Sequence, residues 1–274
     1  MSQATKITIF DTTLRDGELS LTHKLTVDQK LQIASLLDAA GVDVIEVGYP
    51  GVFPKDMEEI ARVSQQVNNA VICGLSGSRP AEVEAVATAL KSSAHGRINI
   101  FTPIRIEGEK ALSEAIETIQ RSISLARNYC DDVEWSAFDA TRSHPDVVCK
   151  GIETAIKAGA TTIAIPDSMG VATPSELVAL LETVMSRVPN IDQATIAVHC
   201  HNDQGYAVEN SLQSLSVGIR QIECSINGLG ARAGNADLKE IVGAIAQHPS
   251  FYTSVQLSLL PELSQQVTKI TARG

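Results

Sequence analysis

Eight short runs rich in β-branched and apolar residues recur along the chain, and a segment with helical periodicity separates each from the next. The runs cover residues 7–10, 42–47, 70–74, 98–101, 133–136, 161–165, 195–199 and 221–226. Between them lie helical patterns such as 27–40, where Leu31, Ala34, Leu37 and Ala40 share a face, together with 111–128 and 175–187. A strand that returns parallel to its predecessor needs a crossover, usually a helix. Eight such units within about 250 residues predict the α/β class and a closed (β/α)8 TIM barrel. A doubly wound open sheet is the alternative. Against it, the first run leads into Asp16-Gly17-Glu18 rather than a glycine-rich phosphate loop.

The chain has 274 residues, enough for one large α/β domain or two small ones. The expectation is a barrel over residues 1–247. A tail over 248–274 would follow, with a helix near 261–269 packed across the barrel or on another subunit. Gly41 and Gly159 fall where a helical stretch gives way to a strand and suit the left-handed residue that ends a helix. Pro80, Pro145 and Pro174 fall where helices begin, and a missing N–H costs little there.

Hydrophobic residues make up 44% of the chain, which allows a sizeable core. The net charge of −10 is scattered, with no basic stripe, so nucleic acid is not an expected partner. No apolar run reaches the roughly 18 residues of a membrane span. The opening residues, Met1 to Lys6, lead straight into a strand without a signal-peptide core. The five cysteines, Cys73, Cys130, Cys149, Cys200 and Cys224, include no C-x-x-C pair and read as reduced, mostly buried thiols. Together these point to the cytoplasm.

In a (β/α)8 barrel the reactive groups sit at the C-terminal ends of the strands. Polar residues cluster there in this chain: Arg15, Asp16 and Glu18; Glu46; Asn99; Ser136 and Asp139; Asp167 and Ser168; His199, His201, Asn202 and Asp203; Asn227, Arg232 and Asn235. His199 and His201 matter most. On a strand, residues i and i+2 face the same side, so both imidazoles project together while Cys200 faces away. Two imidazoles and a carboxylate, with Asp16 favoured over the more strand-bound Asp11, would hold Mg2+, Mn2+, Zn2+ or Fe2+. Asn235 would add an amide oxygen or cap the last barrel helix. Arg15 would clamp a substrate carboxylate or steady an enolate oxygen, or would pair with Glu46, which could hold it in place. Ser168 would donate a hydrogen bond to a ligand carboxylate. This set suits a 2-oxo acid whose carbonyl is polarised for carbon–carbon bond formation or cleavage. Acid would release the ion as the imidazoles protonate.

The run Asp11-Thr12-Thr13-Leu14-Arg15-Asp16-Gly17-Glu18 resembles the opening signature of the DRE-TIM metallolyase superfamily. Further similar motifs are Glu46-Val47-Gly48-Tyr49-Pro50, Asp139-Ala140-Thr141-Arg142-Ser143 and Ile165-Pro166-Asp167-Ser168-Met169-Gly170. So are His199-Cys200-His201-Asn202-Asp203-Gln204-Gly205 and Asn227-Gly228-Leu229-Gly230-Ala231-Arg232-Ala233-Gly234-Asn235. The last stretch is closest to the 2-isopropylmalate and homocitrate synthase branch. The resemblance makes residues 1–247 a pyruvate carboxyltransferase/HMGL-like catalytic barrel. It implies Asp16, His199, His201 and Asn235 at a divalent cation, and catalytic Arg15, Glu46, Ser136 and Ser168. Arg15, Asn99, Ser136, Phe138 and Ser168 would contact substrate. The implied reaction is addition of an acyl-CoA enolate to a 2-oxo acid by a homodimer. The alternatives are a metal-dependent lyase or aldolase, and a non-catalytic metal- or ligand-binding barrel.

Three departures accompany the resemblance. Phe138 stands where the synthases carry glutamate in Ser-Ala-Glu-Asp, and Asn99 where they commonly carry histidine. The sequence ends at Gly274, short of the C-terminal subdomain of the synthases, which a separate subunit would then supply. The expectation is an intact 2-oxo acid half and an altered acyl-CoA half.

Overall fold

A computed structural model describes residues 4–272. Part of the opening segment judged free of a signal core, residues 1–3, lies outside the described residues. A short strand β1 (Thr5–Lys6) precedes the barrel. Eight parallel strands then close on themselves: β2 (Thr8–Asp11), β3 (Val44–Gly48), β4 (Val71–Ser76), β5 (Gly96–Pro103), β6 (Asp132–Phe138), β7 (Thr162–Asp167), β8 (Thr195–Cys200) and β9 (Gln221–Cys224). Closure comes from the pairing of β2 with β9, Thr8 to Gln221 through Asp11 to Cys224. The fold is the expected TIM barrel.

The helices are α1 (Val27–Ala40), α2 (Asp56–Gln66), α3 (Pro80–Ala89), α4 (Glu109–Ala126), α5 (Pro145–Lys157), α6 (Pro174–Arg187), α7 (Ala207–Ser214) and α8 (Leu238–Ala246). Local chemistry sets their ends. Thr26 with Gln29 and Thr173 with Glu176 form capping boxes at α1 and α6, satisfying N-terminal amides that have no partner within the helix. Pro80, Pro145 and Pro174 occupy first positions. Gly41 (φ 86°) and Gly159 (φ 107°) take the left-handed turns after α1 and α5. Among the described residues no helix is long and apolar enough to cross a membrane.

Alternation along each strand divides the barrel into two apolar regions. Ile9, Ile45, Ile72, Ile98, Val133, Ile163, Val198 and Ile222 belong to the main core between sheet and helices. Phe10, Val44 and Cys73 form a separate small cluster on the inner face. Each buried aliphatic side chain contributes roughly 1.5–3 kcal/mol. The outer ring therefore carries most of the stability, and the inner face is left for polar groups.

Two elements differ from expectation. The last barrel strand stops at Cys224 rather than residue 226, because Asn227 turns left-handed (φ 57°) within a 3-10 turn. The tail adds β10 (Phe251–Tyr252), which pairs with β1, before α9 (Leu260–Thr271). Two-residue strands are too short for periodicity to reveal. Helix α9 lies beside α1, where Gln29 Nε2 donates to the Ile270 carbonyl at 3.2 Å.

Candidate active site

A cavity of about 320 Å³ opens at the C-terminal mouth of the barrel. Arg15, Asp16, Asn99, Ser136, Phe138, Ser168, His199 and His201 all line it. Arg15 and Asp16 come from the turn after β2, Asn99 from β5, and Ser136 and Phe138 from β6. Ser168 follows β7, His199 lies on β8 and His201 just beyond it. Glu46 and Asn235 are buried behind this lining.

One ligand atom each from Asp16, His199 and His201 lie within 4.8 Å of one another. The surroundings fit a cation. Asn235 Nδ2 donates to Asp16 Oδ2 (2.9 Å), Thr12 Oγ1 (3.1 Å) and the Leu229 carbonyl (3.2 Å), which fixes the orientation of the amide. Its oxygen then faces His199 Nε2 at 3.2 Å. The other nitrogen of His199, Nδ1, lies 2.8 Å from Glu223 Oε2. With Nδ1 donating to that carboxylate, Nε2 presents a lone pair to another acceptor. His201 Nδ1 is buried and has no hydrogen-bond partner among the described residues. Acceptors that face one another without a proton between them are satisfied by a metal ion.

The charges agree. Burial pushes the Asp16 carboxyl up, but Arg15, His199 and His201 outweigh it and hold the group ionised well below the usual carboxylate range. Burial lowers both imidazoles, with His201 falling to about 3 under the added effect of His199. An ionised carboxylate and two neutral imidazoles are the forms that bind a divalent cation.

Arg15 is held from two sides. Its Nε donates to Glu46 Oε2 at 2.5 Å and its Nη1 to Asp16 Oδ1 at 2.7 Å. Asn99 Nδ2 donates to the other Glu46 oxygen at 3.2 Å. Burial raises the Glu46 carboxyl and the Arg15 charge opposes that rise. Arg15 thus pairs with Glu46 and also with Asp16, one of the three candidate ligands. Asp11, the rival carboxylate, accepts from Thr13 N and Thr13 Oγ1 (both 2.9 Å) and lies outside the cavity lining.

Several strand-end polar residues are used locally instead. Asp139 pairs with Arg142 and Asp203 with Arg232. Asp167 accepts from Thr141 Oγ1 and from Ala172 N. Asn202 Oδ1 accepts from Ala207 N at the start of α7. Asn227 bonds to Ser264 and Thr268 on α9, away from the cavity. Ser168 Oγ accepts from Asp139 N at 2.9 Å, which leaves its own proton to donate. Asn235 does not cap α8: the N-cap is Asp237, whose side chain accepts from Glu240 N at 3.1 Å.

Sequence reasoning missed a polar layer beneath the site. Arg97 Nη1 donates to Glu134 Oε2 and Gln221 Oε1, both at 2.8 Å. Burial and the neighbouring charge of Glu223 push Glu134 up to about 8, and burial raises Glu223 to about 7. The available signal was charged or amide residues at alternate positions of strands expected to be buried on both faces. Also missed was fully buried Lys30, whose Nζ lies 2.6 Å from Glu59 Oε2 and 3.4 Å from Glu18 Oε2.

A family model described as HMGL-like matches residues 6–267. A 2-isopropylmalate synthase of Methylorubrum populi is 44% identical over 271 residues, covering 96% of this chain and 52% of its own length. A 2-isopropylmalate synthase of Bradyrhizobium diazoefficiens is 47% identical over 249 residues, 89% of this chain and 48% of its own. The chain thus spans about half the length of these curated relatives. Among solved structures, an HMG-CoA lyase from Acinetobacter baumannii in complex with coenzyme A and 3-methylmalate superposes with a TM-score of 0.81. It is 17% identical and covers 99% of this chain and 93% of its own, a likeness of fold.

Proposed function

The chain belongs to the HMGL-like family, and on that footing we propose that it is a metal-dependent acyltransferase of the 2-isopropylmalate synthase type. It would join the methyl carbon of an acyl-CoA thioester to the keto carbon of a 2-oxo acid. Hydrolysis of the thioester then releases the CoA thiol. The observation that carries this reading is the closeness of Asp16, His199 and His201 with Arg15 bonded to Asp16 at their edge.

Asp16, His199 and His201 would hold the cation, Mg2+, Mn2+ or Zn2+, with Asn235 orienting Asp16 and offering its amide oxygen. Such an ion supplies a Lewis acid for the keto oxygen. Arg15 binds the carboxylate of the acid and steadies negative charge developing at its oxygens. Glu46, itself bonded to Asn99, keeps the guanidinium from swinging away. Ser168 donates its free proton to substrate oxygen, and Ser136 lies on the same side. Phe138 has no atom that accepts a proton, so the reading gives this chain the 2-oxo acid half of the chemistry. For the same reason the second reading is a lyase or aldolase, which needs no base for an acyl methyl group.

The reading also includes a homodimer, which rests on the resemblance of the motifs, and a cytoplasmic location, which rests on the cysteine usage; light scattering of the purified chain measures the dimer. The deciding experiment combines acetyl-CoA, a panel of 2-oxo acids and each cation, and reads free thiol. Metal-dependent thiol release supports the synthase. Release of acetyl-CoA or pyruvate from hydroxy acids, without the forward reaction, supports the lyase. Phe138→Glu tests whether a carboxylate at that position raises thiol release.

A further inference from the structure

The cavity has two chemically distinct sides. The metal cluster and Arg15 lie on one. On the other lie Tyr49, just after β3, and Leu75, Phe101 and Phe138 of β4, β5 and β6. The Phe101 ring lies 5.8 Å from that of Tyr49 at 84°, and 5.8 Å from that of Phe138 at 54°. The Tyr49 hydroxyl is engaged elsewhere: it donates to Glu82 Oε2 at 3.2 Å, and burial with the Glu82 charge pushes its pKa up to about 12. Beside Asn99 and Ser136 of the same strands, these residues offer a ligand ring carbon and aliphatic carbon. Phe138 keeps 42% of its surface exposed at the opening, so its ring is available to a ligand.

The charged groups narrow the choice further. Among the lining cations, Arg15 pairs with Asp16 and Glu46 and Arg232 with Asp203, while Lys24 lies 3.6 Å from Glu18, an acid that Lys30 and Lys55 also approach. Lys24 lies over the Phe53 ring, 5.1 Å from its centroid, and among the described residues no cation lies over the rings of Tyr49, Phe101 or Phe138. A charged side chain on the substrate would lose water on this side and gain no partner.

We propose that Phe101 and Phe138 form a selectivity wall and that the preferred 2-oxo acid carries an aromatic ring on its side chain. This rests on the reading of the site as one for a 2-oxo acid. A ligand ring set against exposed Phe138 would continue the tilted and edge-to-face row of Tyr49, Phe101 and Phe138, and a branched aliphatic group there lacks the aromatic contact. Phe138 is thus a specificity-determining residue.

Calorimetry on the full chain with Mn2+ at neutral pH tests this with phenylpyruvate, 2-oxoisovalerate and 2-oxoglutarate. Phenylpyruvate should bind at least about tenfold tighter than 2-oxoisovalerate, with 2-oxoglutarate the weakest of the three. In Phe138→Leu the ratio of the first two should fall to within about threefold of unity. The half-exposed position suits a folded variant, and circular dichroism checks it; Phe101→Leu, the second variant, should reduce the ratio in the same direction. Equal or tighter binding of 2-oxoisovalerate, or a ratio unchanged in both variants, overturns the aromatic preference and leaves the 2-oxo acid reading standing. Failure of all three acids to bind in the presence of Mn2+ overturns both. Tight binding of phenylpyruvate without thiol release from acetyl-CoA supports the wall and counts against the synthase alone.

Discussion

Glu223 Oε2 lies 2.8 Å from His199 Nδ1, on the side of the ring away from Asn235. The two residues face each other across paired strands, in register at the same level of β8 and β9. A carboxylate there fixes the tautomer in which Nε2 is free to bind a cation, and it raises the basicity of the ring. Glu223→Gln removes the charge and keeps the shape. Metal affinity should fall by about 10–100-fold while the melting curve keeps its cooperative form. Titration with Mn2+ followed by electron paramagnetic resonance measures it, and wild-type affinity would remove Glu223 from this role.

Asp16→Ala, His199→Ala and His201→Ala should each lose the ion. Each deletes one of the few groups that meet within 4.8 Å. Elemental analysis after dialysis should find less than about a tenth of the wild-type content in each variant. Full occupancy in any one of them would strike that residue from the ligand set.

Acid should release the ion later than free imidazole chemistry implies. Burial lowers both histidines, and His201 falls to about 3 from an ordinary 6.5. Protons compete for a ligand only below its pKa in the folded protein, so occupancy should hold from about pH 7 to about pH 5 and decline below that. Loss of half the ion near about pH 6.5 would mean that the rings titrate as though exposed.

Glu134 should make stability fall as pH rises. Its pKa is raised from 4.5 to about 8 by burial and by Glu223, so between those values the folded state holds a proton that the unfolded state has released. Folding is then opposed increasingly as pH climbs, and the stability present below 4.5 is lost through 8. Glu134→Gln imitates the protonated form. Its melting temperature in metal-free buffer should change less than the wild type's between about pH 5 and about pH 8. Parallel curves for the two proteins would contradict the assignment.

Lys30→Met should cost about 3 kcal/mol. The Lys30 ammonium is fully buried, donates to the Val47 carbonyl at 2.9 Å and neutralises Glu59 and Glu18 beside the cavity. Methionine fills the volume but leaves Glu59 dependent on partly exposed Lys55, and Glu18 on Lys55 and Lys24. Urea denaturation gives the value, and a change under about 0.5 kcal/mol would mean that Lys55 suffices.

Much of this protein was legible from residue spacing. The alternation of apolar runs and helical patterns called for parallel strands joined by helices, because such strands require crossovers. Eight units pointed to a barrel over an open sheet, and the pairing of β2 with β9 closes it. The spacing of His199 and His201 dictated a shared face, because a strand has period 2. Strand ends were also readable, and with them Arg15, Asp16 and Ser168. What spacing along one strand cannot state is which other strand lies alongside, and at what level. Closure of β2 on β9 and the register of β8 with β9 decided that Glu223 stands behind His199 and that Arg97, Glu134 and Gln221 meet in one buried layer. The same tertiary geometry set Asp16, bonded to Arg15 and Asn235, against the two histidines in the cavity, while Asp139, Asp167 and Asp203 are held by local partners outside its lining. The composition of a strand end shows that a charge is present, and only the three-dimensional neighbours determine what it faces.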